Sequence, residues 1–348
     1  MTFTQDSESE IAGLSVVLRS SHAPRKLQPL TGWLSEFNPA LNWVPLNPRN
    51  GVTRIMAVLP EAQPYPELMQ TICQQIGMSP TIEWQGHPYD MTGIEVDSHS
   101  LHVLQIPIAA SESLPPTLGR AIHALCLDWI GLANESLATQ LHQADSLPLT
   151  LTMRSISAKQ MVLRIGLLQK DLLAPLLWGL SQHLGSEITL TDIPCRIGKT
   201  IEILQTSSYE MLSQVSPQRM IDLQFLTPTS FKQGRAIQPF PLPDLVFGSL
   251  LRRWNAFTPV ELQFPQQAWN GITAAYELKT YAMKMKGGAE IGAQGWARYE
   301  FSNEAQAQIA TVLAHFAQFS GVGRKTAMGM GLTKRMELSK PSAQRSVG

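Results

Sequence analysis

The chain has 348 residues, enough for two or three domains each with its own core. A hydrophobic fraction of 44% and a charged fraction of 16% describe a globular chain and exclude a disordered one. No apolar run approaches the ~20 residues that span a bilayer, and the opening MTFTQDSESE lacks the basic flank and apolar stretch of a secretory signal. The expectation is therefore a cytoplasmic protein with no membrane partner. Cys73, Cys126 and Cys195 fit no CxxC or Cys/His ligand spacing, so they are expected as small buried residues, and no metal or cofactor is implied. The formal net charge is zero, but residues 214–340 carry 14 Lys/Arg against 8 Asp/Glu, while residues 1–97 carry 5 against 10. A basic region on a neutral chain is the footprint of a polyanion partner.

In chain order, short β-rich runs alternate with helices of about a dozen residues, the rhythm of an α+β fold. RIMAVLP (Arg54–Pro60) reads as a strand and PELMQTICQQIG (Pro66–Gly77) as a helix ending in glycine, leading through TIEW and a GHP turn to Ile94-Glu95-Val96. A strand follows at Leu101–Pro107, helices at Leu118–Leu132 and in ESLATQLHQ, and a strand at Met161–Leu167. A helix is predicted over Asp171–Leu184, within which APLLWGLSQHLG (Ala174–Gly185) leads through ITLT and an IPC turn to Ile201-Glu202-Ile203. This second passage echoes the first, so residues 11–97 read as a diverged copy of the βαββαβ unit that follows. Further on come a strand at Met220–Leu226, a helix at Leu242–Phe257, a strand at Trp296–Phe301 and a helix at Glu304–Phe319. Asn303 is the expected N-cap of that last helix, and Ile309, Val312, Leu313 and Phe316 give it one apolar face.

Three features carry chemistry. The first is SGVGRKTAMGMG, with Gly321-Val322-Gly323, five residues, then Gly329-Met330-Gly331. Glycines so spaced let backbone N–H groups approach phosphates, with Arg324 and Lys325 at the tip to reach the same anion. The spacing fits neither a Walker loop nor a Rossmann turn. The second is the histidines. His142 closes ESLATQLHQ, where a helix C-terminus stabilises a histidine cation and suits a proton donor. His123 lies on the preceding helix, where Arg120, His123 and Leu127 flank the apolar stripe of Ile122, Leu125, Cys126 and Trp129. The third is basic and extended. Arg252 and Arg253 point about 100° apart and so cannot both be core. Lys284 and Lys286 share a face of the ribbon YAMKMKGGAEIGAQGW, a shape suited to a groove of A-form RNA. Each of these features also has a plain reading, as a solvated face or a favourable helix ending.

The glycine loop sits after a long helix and before a final strand. Upstream stand FLTPTSFKQG (Phe225–Gly234), PDLVFGSLLRRWNAF (Pro243–Phe257), GGAEIGAQGWARYEF (Gly287–Phe301), LGRAIHALCL (Leu118–Leu127) and LATQLH (Leu137–His142). In this order, over roughly 99–335 of the chain, these motifs resemble the repeat-associated RAMP superfamily, and within it the CRISPR precursor-RNA endoribonucleases, the "Cas six" family. The resemblance implies tandem ferredoxin-like domains over residues 98–213 and 214–340, with the glycine-rich loop in the second and a basic cleft between them holding a CRISPR repeat. An extra, degenerate α+β unit at residues 1–97 precedes them, and a polar tail, residues 341–348, is expected to be mobile. The acidic balance of residues 1–97 suits a protein partner better than RNA.

The resemblance further implies cleavage without metal, by attack of a ribose 2′-OH on the adjacent phosphate to leave a 2′,3′-cyclic phosphate and a 5′-OH. His142 matches the position where many relatives keep a catalytic histidine, and His123 is the second candidate. The chain departs from some relatives, with Leu127 where they carry a tyrosine and no lysine shortly after His142. Lys232 and Arg235 in SFKQGR are the candidates for the missing cation, with Lys232 placed in the catalytic set. Arg120, Arg235, Arg252, Arg253, Lys284, Lys286 and the loop are expected to bind RNA. A non-catalytic RNA-binding subunit of a CRISPR effector complex is the alternative reading, and an RNA-binding module unrelated to CRISPR is a third.

Overall fold

The computed structural model describes residues 10–22, 27–49, 51–78, 81–115, 117–285 and 288–336. The expectation for the tail lies outside these residues. The chain divides into two compact units, one of residues up to Leu147 with Met153–Ser208, the other of Pro148–Thr152 with the residues from Tyr209 onward. Among the described residues no helix is long and apolar enough to cross a membrane.

The first unit begins with β1 (Gly13–Ser20), the two-residue β2 (Gln28–Pro29), β3 (Asn42–Arg49), β4 (Val52–Val58), α1 (Tyr65–Gly77), β5 (Thr81–Trp84) and β6 (His87–Asp97). These strands form one sheet in the order β2-β5-β6-β1-β4-β3. Alternation in GLSVVLRS turns Leu14, Val16 and Leu18 inward. They pack with Ile55, Ala57, Tyr65, Leu68 and Ile72. Among the described residues between β1 and β3 there is no α-helix; prolines at 29 and 39 interrupt that stretch, and buried Leu30 and Trp33 close the core at a 3-10 turn over Leu30–Gly32.

The chain continues through β7 (Leu101–Ala110), α2 (Gly119–Ala133), α3 (Glu135–Gln143), β8 (Leu149–Ser155, whose residues up to Thr152 are counted with the second unit), β9 (Gln160–Leu167), α4 (Leu173–Ser181), β10 (Glu187–Leu190), β11 (Ile193–Ile197) and β12 (Glu202–Ser207). The sheet order is β10-β11-β7-β9-β8, with β12 also on β7. Numbering the four principal strands in chain order, both sheets of this unit follow the 4-1-3-2 path of a ferredoxin-like fold. The two are joined by a parallel bridge between Leu46 and Ile201, by the N–H of Asn47 donating to the carbonyl of Ile201 at 2.9 Å, and by Asn42 Nδ2 donating to Ser181 Oγ at 2.8 Å.

The second unit holds α5 (Tyr209–Ser213), β13 (Met220–Thr229), the small hairpin β14 (Phe231–Gln233) and β15 (Ala236–Gln238), α6 (Pro243–Phe257), β16 (Ile272–Met285), β17 (Gly288–Glu300), α7 (Glu304–Ser320) and β18 (Thr333–Met336). Its sheet order, β16-β17-β13-β18, is again 4-1-3-2. Phe247 packs edge-on against Tyr299 and Phe301, and Trp254 against Tyr209 and Phe316. On the sheet's other face Arg298 grips Asp222 through two bonds of 2.7 Å. Asn303 caps α7 as its sequence predicts, accepting from the N–H of Gln306.

Two expectations change. The helix predicted over Asp171–Leu184 is α-helical only from Leu173 to Ser181, opened by a 3-10 turn and followed by Gly185 in the left-handed region. Cys126 and Cys195 are buried, but Cys73 is exposed, because it lies on the solvent side of α1 while Leu68 and Ile72 face the core. The tightest packing contact is between α4 and α2: a Cβ added to Gly179 would lie 1.9 Å from the carbonyl oxygen of Trp129. Gly179→Ala should therefore force the helices apart and destabilise by about 3 kcal/mol. Gly248→Ala, whose nearest neighbour atom would be 3.8 Å away, should be neutral or stabilising by up to about 1 kcal/mol. Denaturant titration of both variants checks this contrast.

Candidate functional site

In the first unit, Asn134 both ends α2 and caps α3, its side chain accepting from the N–H of Leu137. This corner folds α3 back on α2, where a Cβ on Gly131 would touch that of Ala138 at 3.5 Å. His123 of α2 and His142 of α3 thereby come within electrostatic reach of each other. Burial, and then the charge of His142, lower the pKa of His123 below its ordinary 6.5. His123 Nε2 is buried and, among the described residues, has no hydrogen-bond partner. His142 and Arg120 are exposed, and Leu127 is buried. The pair thus offers one half-buried histidine biased towards the neutral base and one solvated histidine at a helix C-terminus.

In the second unit, the segment after α7 is tied to the end of β13. The N–H of Gly331 donates to the carbonyl of Pro228 at 3.1 Å, that of Arg324 to Ser230 at 3.0 Å, and that of Val322 to Gly331 at 2.8 Å. Gly323 and Gly331 have φ of 80° and 74°, and a Cβ on them would meet the carbonyl oxygens of Ser230 at 2.4 Å and Val322 at 2.2 Å. Only glycine fits either place.

This corrects the expected use of the loop. The N–H groups of Gly321, Gly323 and Gly331 are committed to Ala317, Ser249 Oγ and Pro228, so these three glycines serve close backbone approach and have no N–H left for a phosphate. The N–H groups of Lys325, Thr326 and Ala327, by contrast, have no acceptor among the described residues. Lys325 is left-handed, with φ 54°. Successive free N–H groups beginning at such a residue form a concave anion site.

The remaining cations are dispersed. Arg253 turns inward, its Nη1 donating to Thr326 Oγ1 at 2.8 Å and its Nη2 to the carbonyl of Leu149 at 3.0 Å. Burial pushes its pKa down to about 10. It is a brace under the loop and not the phosphate ligand that the sequence suggested, because the side chain is buried and both terminal nitrogens bond inward. Arg252 is exposed, as are Lys232 and Arg235 on the β14–β15 hairpin and Lys284 near the ribbon tip. Lys286 lies outside the described residues. On the ribbon, Lys284 pairs across to Ala289 and so points from the opposite face to Glu290, which pairs with Met283. Lys279 and Tyr281, exposed and not singled out by sequence, stand on the Glu290 face.

Sequence reasoning also missed Glu290 itself, which binds both Arg324, at 3.1 Å, and Lys325. Only the register of the ribbon brings it there. In the first unit His99 Nδ1 and His102 Nε2 converge on Asp97, at 2.8 and 3.0 Å, although their spacing had suggested no site. Burial alone would raise the pKa of Asp97, but the bond and charge of His102, with the bonds from His99, outweigh it and hold it at about 2.

Residues 223–333 match the family model described as CRISPR-associated endoribonuclease Cas6. A Cas6 endoribonuclease from Mycobacterium tuberculosis is 28% identical over 152 residues, covering 40% of this chain and 47% of the relative, so the chain spans about half the length of the curated relatives it matches. Among solved structures, a Cas6 product complex is 26% identical, with a TM-score of 0.60 over 68% of this chain and all of the other. Thermus thermophilus Cas6, at 23% identity and a TM-score of 0.54, covers 69% of this chain and is matched over its whole length, a likeness of fold. Family model, relatives and fold agree with the motifs read from the sequence: residues 223–333 match the Cas6 family, and the fold is similar to that of solved Cas6 structures.

Proposed function

We propose that the protein is an endoribonuclease that cuts within CRISPR repeat RNA, without metal, to mature guide RNAs. The observation that carries the catalytic part is the histidine pair: His123 Nε2 is buried and unpartnered beside a second histidine supplied by another helix. In this reading His123 takes the proton of the 2′-OH as its oxygen bonds to phosphorus. His142 gives a proton to the 5′ oxygen as the phosphorus–O5′ bond breaks, leaving a 2′,3′-cyclic phosphate and a 5′-OH. Lys232, with Arg235 beside it, is the candidate counter-charge for the phosphorane. The N–H groups of Lys325–Ala327 with Arg324 and Lys325 hold a phosphate, and Arg120, Arg252 and Lys284, all exposed, serve as further RNA contacts. The coarser reading, RNA processing, is supported by the family match and by the neighbour solved with its product.

Incubation with labelled repeat RNA in EDTA tests the proposal. One site should be cut, and a 2′-deoxy substitution at the scissile nucleotide should abolish cutting. His123→Ala and His142→Ala should each slow the reaction by about a hundredfold or more. Tight binding without product would instead favour the non-catalytic effector subunit, and equal affinity for unrelated RNA of the same length would remove the CRISPR assignment.

The two roles also predict a pH dependence. A base held below 6.5 stays neutral at neutral pH, so the acidic limb of the rate profile should fall below that value. Its folded pKa being depressed, His123 binds fewer protons folded than unfolded at mildly acidic pH, so its contribution to stability declines as pH falls from 6.5 towards the folded pKa. In an NMR titration, His142→Asn should move His123 part of the way back up, since burial, the larger cause, remains. An unmoved His123 would show that the histidines do not form a pair.

A further inference from the structure

Glu290 is the one carboxylate in contact with the loop's cations among the described residues. It reaches across from β17, with Oε2 on Arg324 Nη1 and Oε1 on Lys325 Nζ, while Lys325 Nζ also lies 3.5 Å from Met285 Sδ. The hydrogen bond from Lys325, and then the charges of Lys325 and Arg324, lower the pKa of Glu290 despite some burial, so it is an anion across the working pH range. All three side chains are 21–30% exposed, open enough for a competitor to reach them. Two oxygens of one anion, shared between a guanidinium and an ammonium beside three free N–H groups, is the arrangement a phosphodiester would present. The left-handed backbone of Lys325, unfavourable for a residue with a Cβ, carries the lysine into this arrangement.

We propose that Glu290 is an intramolecular stand-in for an RNA phosphate, which RNA must displace to reach Arg324 and Lys325. This rests on the reading of the loop as the phosphate grip and adds a control to it. A partly exposed ion pair is weak, so the carboxylate is a displaceable occupant and not a lock. The consequence is a loop that does not hold RNA by charge alone. It closes on a phosphate only where the rest of the RNA supplies the free energy that separates Glu290 from its partners, a repulsive element of the kind that limits promiscuous binding.

The test uses the full chain, an uncleavable 2′-deoxy repeat RNA and an unrelated RNA of equal length, with affinities measured across a salt titration. Glu290→Gln keeps the shape and removes the charge. It should tighten binding of both RNAs on the order of tenfold and steepen the logarithmic salt slope by about 0.7, one further phosphate contact on single-stranded RNA. Glu290→Asp, with the charge on a shorter arm, should fall between, and serves if the glutamine variant folds poorly. The paired substitution Arg324→Ala with Lys325→Ala should weaken RNA binding and cancel the gain from Glu290→Gln. Weakened binding in the paired variant without any tightening in Glu290→Gln, at unchanged melting temperature, would overturn the stand-in and leave Glu290 a brace. No loss of affinity in the paired variant, in either background, would instead refute the loop as the phosphate grip.

Discussion

The approach of two backbones, at Pro228–Ser230 and at Gly321–Gly331, is the constraint on which the second unit's candidate surface depends. β13 loses its register with β17 between Phe225 and Thr229, and the carbonyls released there accept the N–H groups of Arg324 and Gly331. The distance of that approach leaves no space for a Cβ at Gly323 or Gly331. The N–H groups of Gly321, Gly323 and Gly331 are consumed inside the second unit, whereas those of Lys325, Thr326 and Ala327, between the two glycine pairs, have no acceptor among the described residues. Arg253, driven under the loop through Thr326, supports the same turn from below, and Glu290 fixes its cations from the ribbon side.

Two different devices set the charges that would meet RNA. His123 is tuned chiefly by burial, an effect that persists at any salt concentration. Arg324 and Lys325 are tuned by pairing with a half-open carboxylate, which salt and a competing anion both weaken. The proposed base must begin each turnover neutral, whereas the proposed phosphate grip must open and close. Each device matches the demand made on it.

The chain uses one topology three times. Each of the three larger sheets follows the 4-1-3-2 path, and in the N-terminal copy of this topology Leu30 and Trp33 close the core between β1 and β3, with no α-helix there among the described residues. That copy shares its compact unit with the next through Leu46 and Ile201. Its charge balance is acidic, where that of residues 214–340 is basic.

Much of this was legible in the order of residues. Helix and strand positions followed from 3.6- and 2-residue periodicity, the cap at Asn303 from residue type, and the family from motif order, since all three are local properties repeated along the chain. Both histidines were also visible as candidates, but not their partnership: it arises where Asn134 turns α3 back on α2, an electrostatic coupling between residues 19 positions apart. Glu290 was an ordinary acidic residue in a glycine-rich ribbon until strand register turned its side to Arg324 and Lys325, and Arg253 looked like Arg252 until helix packing turned it inward. The sequence by itself determined the three-part α+β architecture and the glycine positions, because local backbone geometry and hydrophobic pattern suffice for them. The tertiary structure alone decided which cations stay open, which carboxylate opposes them and which histidine is desolvated, because charge and protonation answer to neighbours through space.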